Sequence, residues 1–157
     1  MPEPADTDSL LRLARRDDLE RILPMLVDFY AEEGYPVDRA EIGRVLGRLI
    51  DDPELGRLWL ILDAGAVVGY IAICFGYSLE YHGRDAFVDD FYLVPEARGK
   101  GLGNRVLERV EPACRDLGVR TLHLEVERDN PAAQSLYRKR GFADKNRLML
   151  SKRLIAD

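Results

Sequence analysis

The chain is poor in the residues that redox and metal chemistry draw on. It has two cysteines and two histidines, and Cys74 and Cys114 show neither a CxxC pair nor the spacing of metal ligands, so no metal is expected. Both thiols stand among apolar neighbours and read as buried free cysteines. Long apolar runs are missing too. Val67 to Phe75 is interrupted by Gly69 and falls far short of the roughly 20 residues a membrane helix requires, so no membrane association is expected. The opening MPEPADTDSL carries Glu3, Asp6 and Asp8 and no apolar segment, which reads as a disordered lead-in over residues 1–9, not a secretory signal. The cytoplasm is the expected location. Basic charge is also lacking: 23 Lys and Arg face 28 Asp and Glu, a net charge of -5. That leaves no basic footprint for nucleic acid and favours a small cationic partner.

What is present suits one core. With 157 residues, 46% of them hydrophobic, and no repeat or low-complexity linker, residues 10–157 are expected to form a single domain. Leu11 to Leu13 reads as a first strand. Asp17 can cap a helix that carries Leu19, Ile22, Leu23, Leu26, Phe29 and Tyr30 on one face, with a bend expected at Pro24. Gly34-Tyr35-Pro36 breaks it, and Asp38 caps a second helix with Ile42, Val45, Leu46 and Leu49 at helical spacing. Leu58 to Asp63, the turn Ala64-Gly65, Val67 to Phe75 and Phe87 to Val94 then suggest an antiparallel meander. A helical stripe follows, Leu102, Val106, Val110, Cys114 and Leu117, with a kink expected at Pro112 and a stop at Gly118. Thr121 to Glu127 alternates like a strand with one wet side, Asn130-Pro131 opens a short helix closed by Gly141, and Leu148 to Leu150 can supply a last strand. The order is β-α-α-β-β-β-α-β-α-β: an α/β (α+β) fold with a mixed, mostly antiparallel sheet flanked by helices, in which Phe87 to Glu127 forms one βαβ unit.

Between that unit's first strand and its helix lies VPEARGKGLGN, residues 94–104. A glycine-rich loop before a helix N-terminus makes an anion site from backbone alone, because free N–H groups point outward and the helix dipole adds positive potential. Arg98 and Lys100 add charge, and the expected guest is a phosphate or pyrophosphate; a plain surface turn is the bland alternative. A Walker loop fails, since Lys100 is followed by Gly101 and the position five before Gly99 is Val94. A dinucleotide fingerprint fits poorly, because Gly99, Gly101 and Gly103 run GxGxG, although Glu125 falls near where a ribose-binding acid belongs. The pattern that is met is [Arg/Gln]-x-x-Gly-x-[Gly/Ala], by Arg98, Gly101 and Gly103.

That pattern, after a strand ending Leu93-Val94-Pro95 and before NPAAQSLYRKRGF, resembles the coenzyme A pyrophosphate loop and second coenzyme-binding segment of the GNAT N-acetyltransferase superfamily. The resemblance implies acetyl-CoA as co-substrate. It further implies that the backbone of Leu93 and Val94 pairs with the pantetheine arm, and that amides from Arg98 through Gly99, Lys100, Gly101, Leu102 and Gly103 to Asn104 hold the pyrophosphate. Asn130 would reach the pantetheine, and Tyr137 would protonate the departing thiolate. Asp89-Asp90-Phe91-Tyr92 resembles the acid-Asp-aromatic-aromatic run of the polyamine and diamine branch, the spermidine/spermine N-acetyltransferases, which puts Asp89 at the amine site. That branch has Glu where this chain has Asp89, one methylene shorter, which favours a water relay over direct proton abstraction.

The implied chemistry sets its own demand. An alkyl ammonium has a pKa of about 10.4, so keeping the amine neutral at pH 7 costs roughly 4 to 5 kcal/mol, and a carboxylate acting directly or through water can take the proton. Glu32 and Glu125 are further acids placed to read a cationic acceptor, with Asp28, Glu33 and Glu80 as lesser candidates; His82 and His123 can carry protons near neutrality. The expected reaction is direct transfer in a ternary complex, since neither cysteine is placed to carry an acetyl group. The acceptor is a primary amine on a small cationic molecule, with protein N-termini or lysines as the alternative and a non-catalytic coenzyme A-binding module as the rival of another class. A homodimer is one possibility the family allows, and no apolar stripe marks an interface.

Overall fold

A computed structural model describes residues 9–155 of the chain, so residues 1–8 of the expected lead-in lie outside the described residues. The described chain divides into two compact units after Glu125. The first contains β1 (Leu11–Leu13), α1 (Leu19–Glu33), α2 (Arg39–Asp51), β2 (Gly56–Asp63), β3 (Ala66–Ser78), β4 (Gly83–Leu93), α3 (Leu102–Asp116) and β5 (Thr121–His123); the second contains α4 (Pro131–Lys139). The sheet runs β1-β2-β3-β4-β5. Neighbours are antiparallel up to β4, and β4 pairs β5 in parallel, as the βαβ reading requires.

The meander follows from its turn. Ala64 and Gly65 both take positive φ, 50° and 79°, the conformation that lets a two-residue hairpin match the twist of its strands. Alternation along the strands then divides the core. Leu58, Leu60, Tyr70, Ala72 and Tyr92 pack with Ile22, Met25 and Leu26 of α1 and Leu46 of α2. Ile61, Ile71, Ile73, Ala86 and Val88 point the other way and are equally buried. The crossover helix α3 buries Leu102, Val106, Leu107, Val110 and Cys114, the stripe expected from the sequence with Leu107 added and without Leu117, which is the half-buried C-cap.

Several expectations need correction. Asp17 does not cap the first helix. A 3-10 turn over Arg16–Asp18 precedes α1, and the buried Asp18 instead accepts both guanidinium nitrogens of Arg12, at 2.9 and 3.0 Å, and the Arg15 amide at 2.8 Å. The hydrogen bonds from Arg12 hold its carboxyl below the usual range against the opposing effect of burial. Asp38 does cap α2, accepting from the Glu41 amide at 3.0 Å. Helices α1 and α3 run unbroken through Pro24 and Pro112. Strand β5 stops at His123, four residues before the expected end at Glu127, and residues 148–150 form no strand among the described residues. Leu148 and Leu150 are 80% and 88% exposed, so their apolar character is not used in a ladder there, and a strand without a partner leaves its backbone groups unpaired.

Candidate active site

The early end of β5 shapes the site. Asp85, Ala86 and Phe87 pair with Thr121, Leu122 and His123, after which the chain leaves the ladder while β4 continues to Leu93. From Val88 onward β4 therefore has β3 on one side and, among the described residues, no strand paired on the other. The Val94 amide donates to Val68 O of β3 at 2.8 Å, so by alternation the backbone groups of Leu93 face the open edge. That is the edge on which an extended, amide-bearing arm can add as a further strand.

A bulge interrupts β4 within this stretch. Ile73 pairs with Val88 and Ala72 with Asp90, leaving Asp89 as the extra residue. Strict alternation predicts that the two aspartates face opposite sides. The structure is subtler: Asp89 is exposed and Asp90 is 8% exposed, yet the charges of both act on Tyr30, Tyr70 and Cys74. Asp90 accepts hydrogen bonds from Tyr70 Oη at 2.9 Å and Tyr30 Oη at 3.2 Å. Burial pushes its carboxyl up to about 6, with the Asp89 charge adding to the rise and both tyrosine hydrogen bonds opposing it. Desolvation also raises Asp89. The tyrosines move in response, both phenols being driven up by burial and by Asp90, which keeps them protonated as donors. Among the described residues, no cationic side chain forms an ion pair with either aspartate.

Cys74 lies beside this cluster, its thiol pushed up to about 12 by burial and the two aspartates; Cys114 is pushed up to about 11 by burial. Neither is a thiolate near neutrality, which fits direct transfer.

At the end of β4, Gly99 and Gly101 adopt φ of 75° and 79° with nothing within 4 Å of where a side chain would start. Left-handed backbone beside open space is a position for glycine. Helix α3 begins at Leu102 without a side-chain cap, and its first bond runs from the Arg105 amide to Gly101 O. The amides of Leu102, Gly103 and Asn104 therefore have no intrahelical acceptor, which leaves donors at the helix start, next to the open space around Gly99 and Gly101, for an anion to accept from. Lys100 is exposed beside them. Asn104 contributes its amide but turns its side chain to Glu108 Oε1 at 3.1 Å.

Arg98 and Glu32 depart from what their sequence positions suggest. The Arg98 side chain turns back toward β4 and α1, Nε donating to Leu93 O at 2.8 Å and Nη2 to both oxygens of Glu32 at 3.0 Å. Glu32, expected to read the acceptor, thus already holds a cation. Glu125 is exposed just past the end of β5.

In the second unit Asn130 is the N-cap of α4, its Oδ1 accepting from the Ala133 amide at 3.1 Å, with Pro131 at the first helical position. Its side-chain NH2 remains for other use. Gln134 ties the preceding loop by donating to Glu127 O and Arg128 O. Tyr137 packs edge-on to Phe142, and burial pushes its phenol up to about 12, so it is protonated at neutral pH.

Tyr30 and Tyr70 are what the sequence did not disclose. Tyr30 is legible as one more member of an apolar helix face, and Tyr70 as an ordinary strand aromatic. The same holds for Asp85, which meets His123 Nε2 at 2.9 Å, with Tyr81 and Phe87 against the imidazole.

Residues 13–142 match the model of the Acetyltransferase (GNAT) family. The chain belongs to the GNAT family. An IAA acetyltransferase of Azospirillum brasilense is 31% identical over 137 residues, covering 85% of this chain and 84% of its own. A thialysine N-epsilon-acetyltransferase of Bos taurus is 37% identical over 78 residues, of which this chain spans 45% of the length. Among solved structures, an integron cassette protein from the mobile metagenome of Cole Harbour Salt Marsh superposes with a TM-score of 0.83 at 36% identity, covering 94% of this chain and 92% of that one. The GNAT sheet, with its helices on both faces, is the fold expected from the sequence, and the chain is an acetyl-CoA-dependent N-acetyltransferase.

Proposed function

We propose that this enzyme acetylates a primary amine on a small cationic molecule, polyamine- or diamine-like, with Asp89 at the amine. The observation that carries the reading is the bulge. It concentrates two partly desolvated carboxylates beside the open edge of β4, with no protein cation paired to them among the described residues. Holding such charge without a counter-ion is unfavourable, and an ammonium acceptor offsets it. The thialysine N-epsilon-acetyltransferase relative is named for a small amine acceptor of this kind.

Acetyl-CoA, when bound, supplies an activated acyl group. The chain's own residues do the rest. Asp89 takes the ammonium proton through a water molecule, and its raised pKa brings it closer to the operating pH of a useful base. The freed nitrogen lone pair forms the N–C bond while the C–S bond breaks; Tyr137, holding its proton up to about 12, gives it to the departing thiolate, and the second proton that the nitrogen sheds on becoming an amide passes to solvent, from which the phenol is restored. Asp90, pinned by Tyr30 and Tyr70, fixes the bulge and adds negative potential.

Initial rates with a diamine, spermidine, free lysine and short peptides test the reading, together with Asp89→Asn. The diamine class is expected to lead. Losing one charge-assisted contact to the ammonium is expected to lower kcat/KM for it about 10- to 100-fold, with acetyl-CoA KM unchanged. Preferential acetylation of peptides, or an Asp89→Asn enzyme equal to the wild type, rejects it.

A further inference from the structure

The end of α1 and the start of the glycine loop are joined by one pair of side chains 66 residues apart in sequence. Arg98 is held on three sides: its edge by Leu93 O at 2.8 Å, its end by both oxygens of Glu32 at 3.0 Å, and its face by the Tyr92 ring, whose centroid is 5.3 Å from the guanidinium carbon. Three simultaneous constraints on a long side chain make a fixed strut, which arginine's planar, permanently charged fork suits better than lysine's single point charge.

The strut's place in the chain gives it a task. Next come Gly99 and Gly101, both with left-handed φ and open space around them, the most permissive backbone of the site. A donor array built on such residues binds well only if its starting point is fixed, because ordering it on binding subtracts from affinity. Arg98 is that starting point. Its link to Leu93 O also sets the last step of the open β4 edge, so one side chain fixes both the edge and the cradle.

We propose that Glu32 is a positioning residue for coenzyme binding: acting through Arg98, it holds Leu93 and the amides from Gly99 to Asn104 in the arrangement that receives the pyrophosphate. This rests on the reading of that loop as the coenzyme cradle. It gives Glu32 a role on the donor side of the reaction, although it stands on α1 and was expected to read the acceptor.

The test is a binding cycle. Calorimetric titration with coenzyme A is carried out on the wild type, Glu32→Ala, Arg98→Gln and the double variant, with Arg98→Lys as a second probe that keeps the charge and loses the Nε donor. The Glu32→Ala protein is expected to bind about three- to tenfold more weakly, in keeping with a half-exposed ion pair that orders a loop. Glu32→Gln, which keeps an acceptor oxygen, is expected to fall between it and the wild type. In the Arg98→Gln background, Glu32→Ala is expected to add nothing. The amine KM, and kcat at saturating acetyl-CoA, are expected to stay put. Unchanged coenzyme affinity in Glu32→Ala, a raised amine KM instead, or an additive loss in the double variant each overturns the proposal. A wild type that binds no coenzyme A at all overturns the cradle reading beneath it, an outcome separable from the others.

Discussion

The proposed donor side and the proposed acceptor side of the first unit are built from different materials. The loop after β4 offers main-chain N–H groups, set by the φ angles of Gly99 and Gly101 and by the start of α3. The bulge in β4 offers side chains, Asp89 and Asp90, tuned by two phenols that arrive from α1 and β3. A main-chain site fixes one ligand and tolerates exchange of the side chains around it, provided the backbone keeps its shape. A side-chain site can be re-specified by a single substitution.

Four variants break or sharpen the contrast. The largest effect is expected from Tyr137→Phe, which removes the proposed acid: kcat about 10²- to 10⁴-fold lower, with coenzyme A affinity retained, by steady-state kinetics and calorimetry. Unchanged kcat across pH would remove Tyr137 as the acid. Asp90→Asn comes next and is read in stability. The Asp90 carboxyl stands at about 6 in the fold against an ordinary 3.8, so its neutral form is the one the fold favours. The stability it contributes is present below pH 3.8 and is lost as pH rises through 6, a span of about 3 kcal/mol. Asp90→Asn is expected to gain on the wild type by that order between pH 4 and pH 7 in denaturant melts; parallel curves would show the carboxyl is not desolvated. Gly101→Val places a β-branched residue at φ 79° and is expected to weaken coenzyme A about tenfold or more while leaving the Asp89 cluster intact. An amine KM that rises in step would mean the two sides are not separable. Least of all, Cys74→Ala is expected to leave kcat unchanged, because its thiol stands at about 12. Loss of turnover there would reopen an acetyl-enzyme route.

The same contrast governs what was legible in the sequence. Gly99 and Gly101 were readable because left-handed backbone has almost one residue type to offer, so the shape is written in the letters. The meander and the βαβ unit were readable from the Ala64-Gly65 turn and from periodicity. Strand β5 was readable as a strand but not in its length, since the alternation from Thr121 to Glu127 says which side is wet and not where a neighbour stops pairing. The bulge carries no glycine or proline to announce it. Nor could Tyr30 and Tyr70 be joined to Asp90, from which they lie 60 and 20 residues away; only the register and the packing of α1 on the sheet bring the three together. Arg98 was legible as part of a motif, and its side chain's actual partner, Glu32, was not.

The bulge has one more consequence. Every cross-strand pair on either side of it, Ile73 with Val88 and Ala72 with Asp90, would be adjacent in an ordinary ladder if residue 89 were simply absent. A chain shortened by that one residue keeps its register from Gly83 to Leu93 and so keeps the donor edge and the loop that follows. The acid proposed to meet the amine is therefore an insert, removable by a single in-frame deletion that leaves the rest of the sheet in phase. Because residues 89 and 90 are both Asp, deleting either one gives the same chain, whereas a deletion far from the bulge shifts the residues between it and the bulge by one and turns their side chains to the opposite faces.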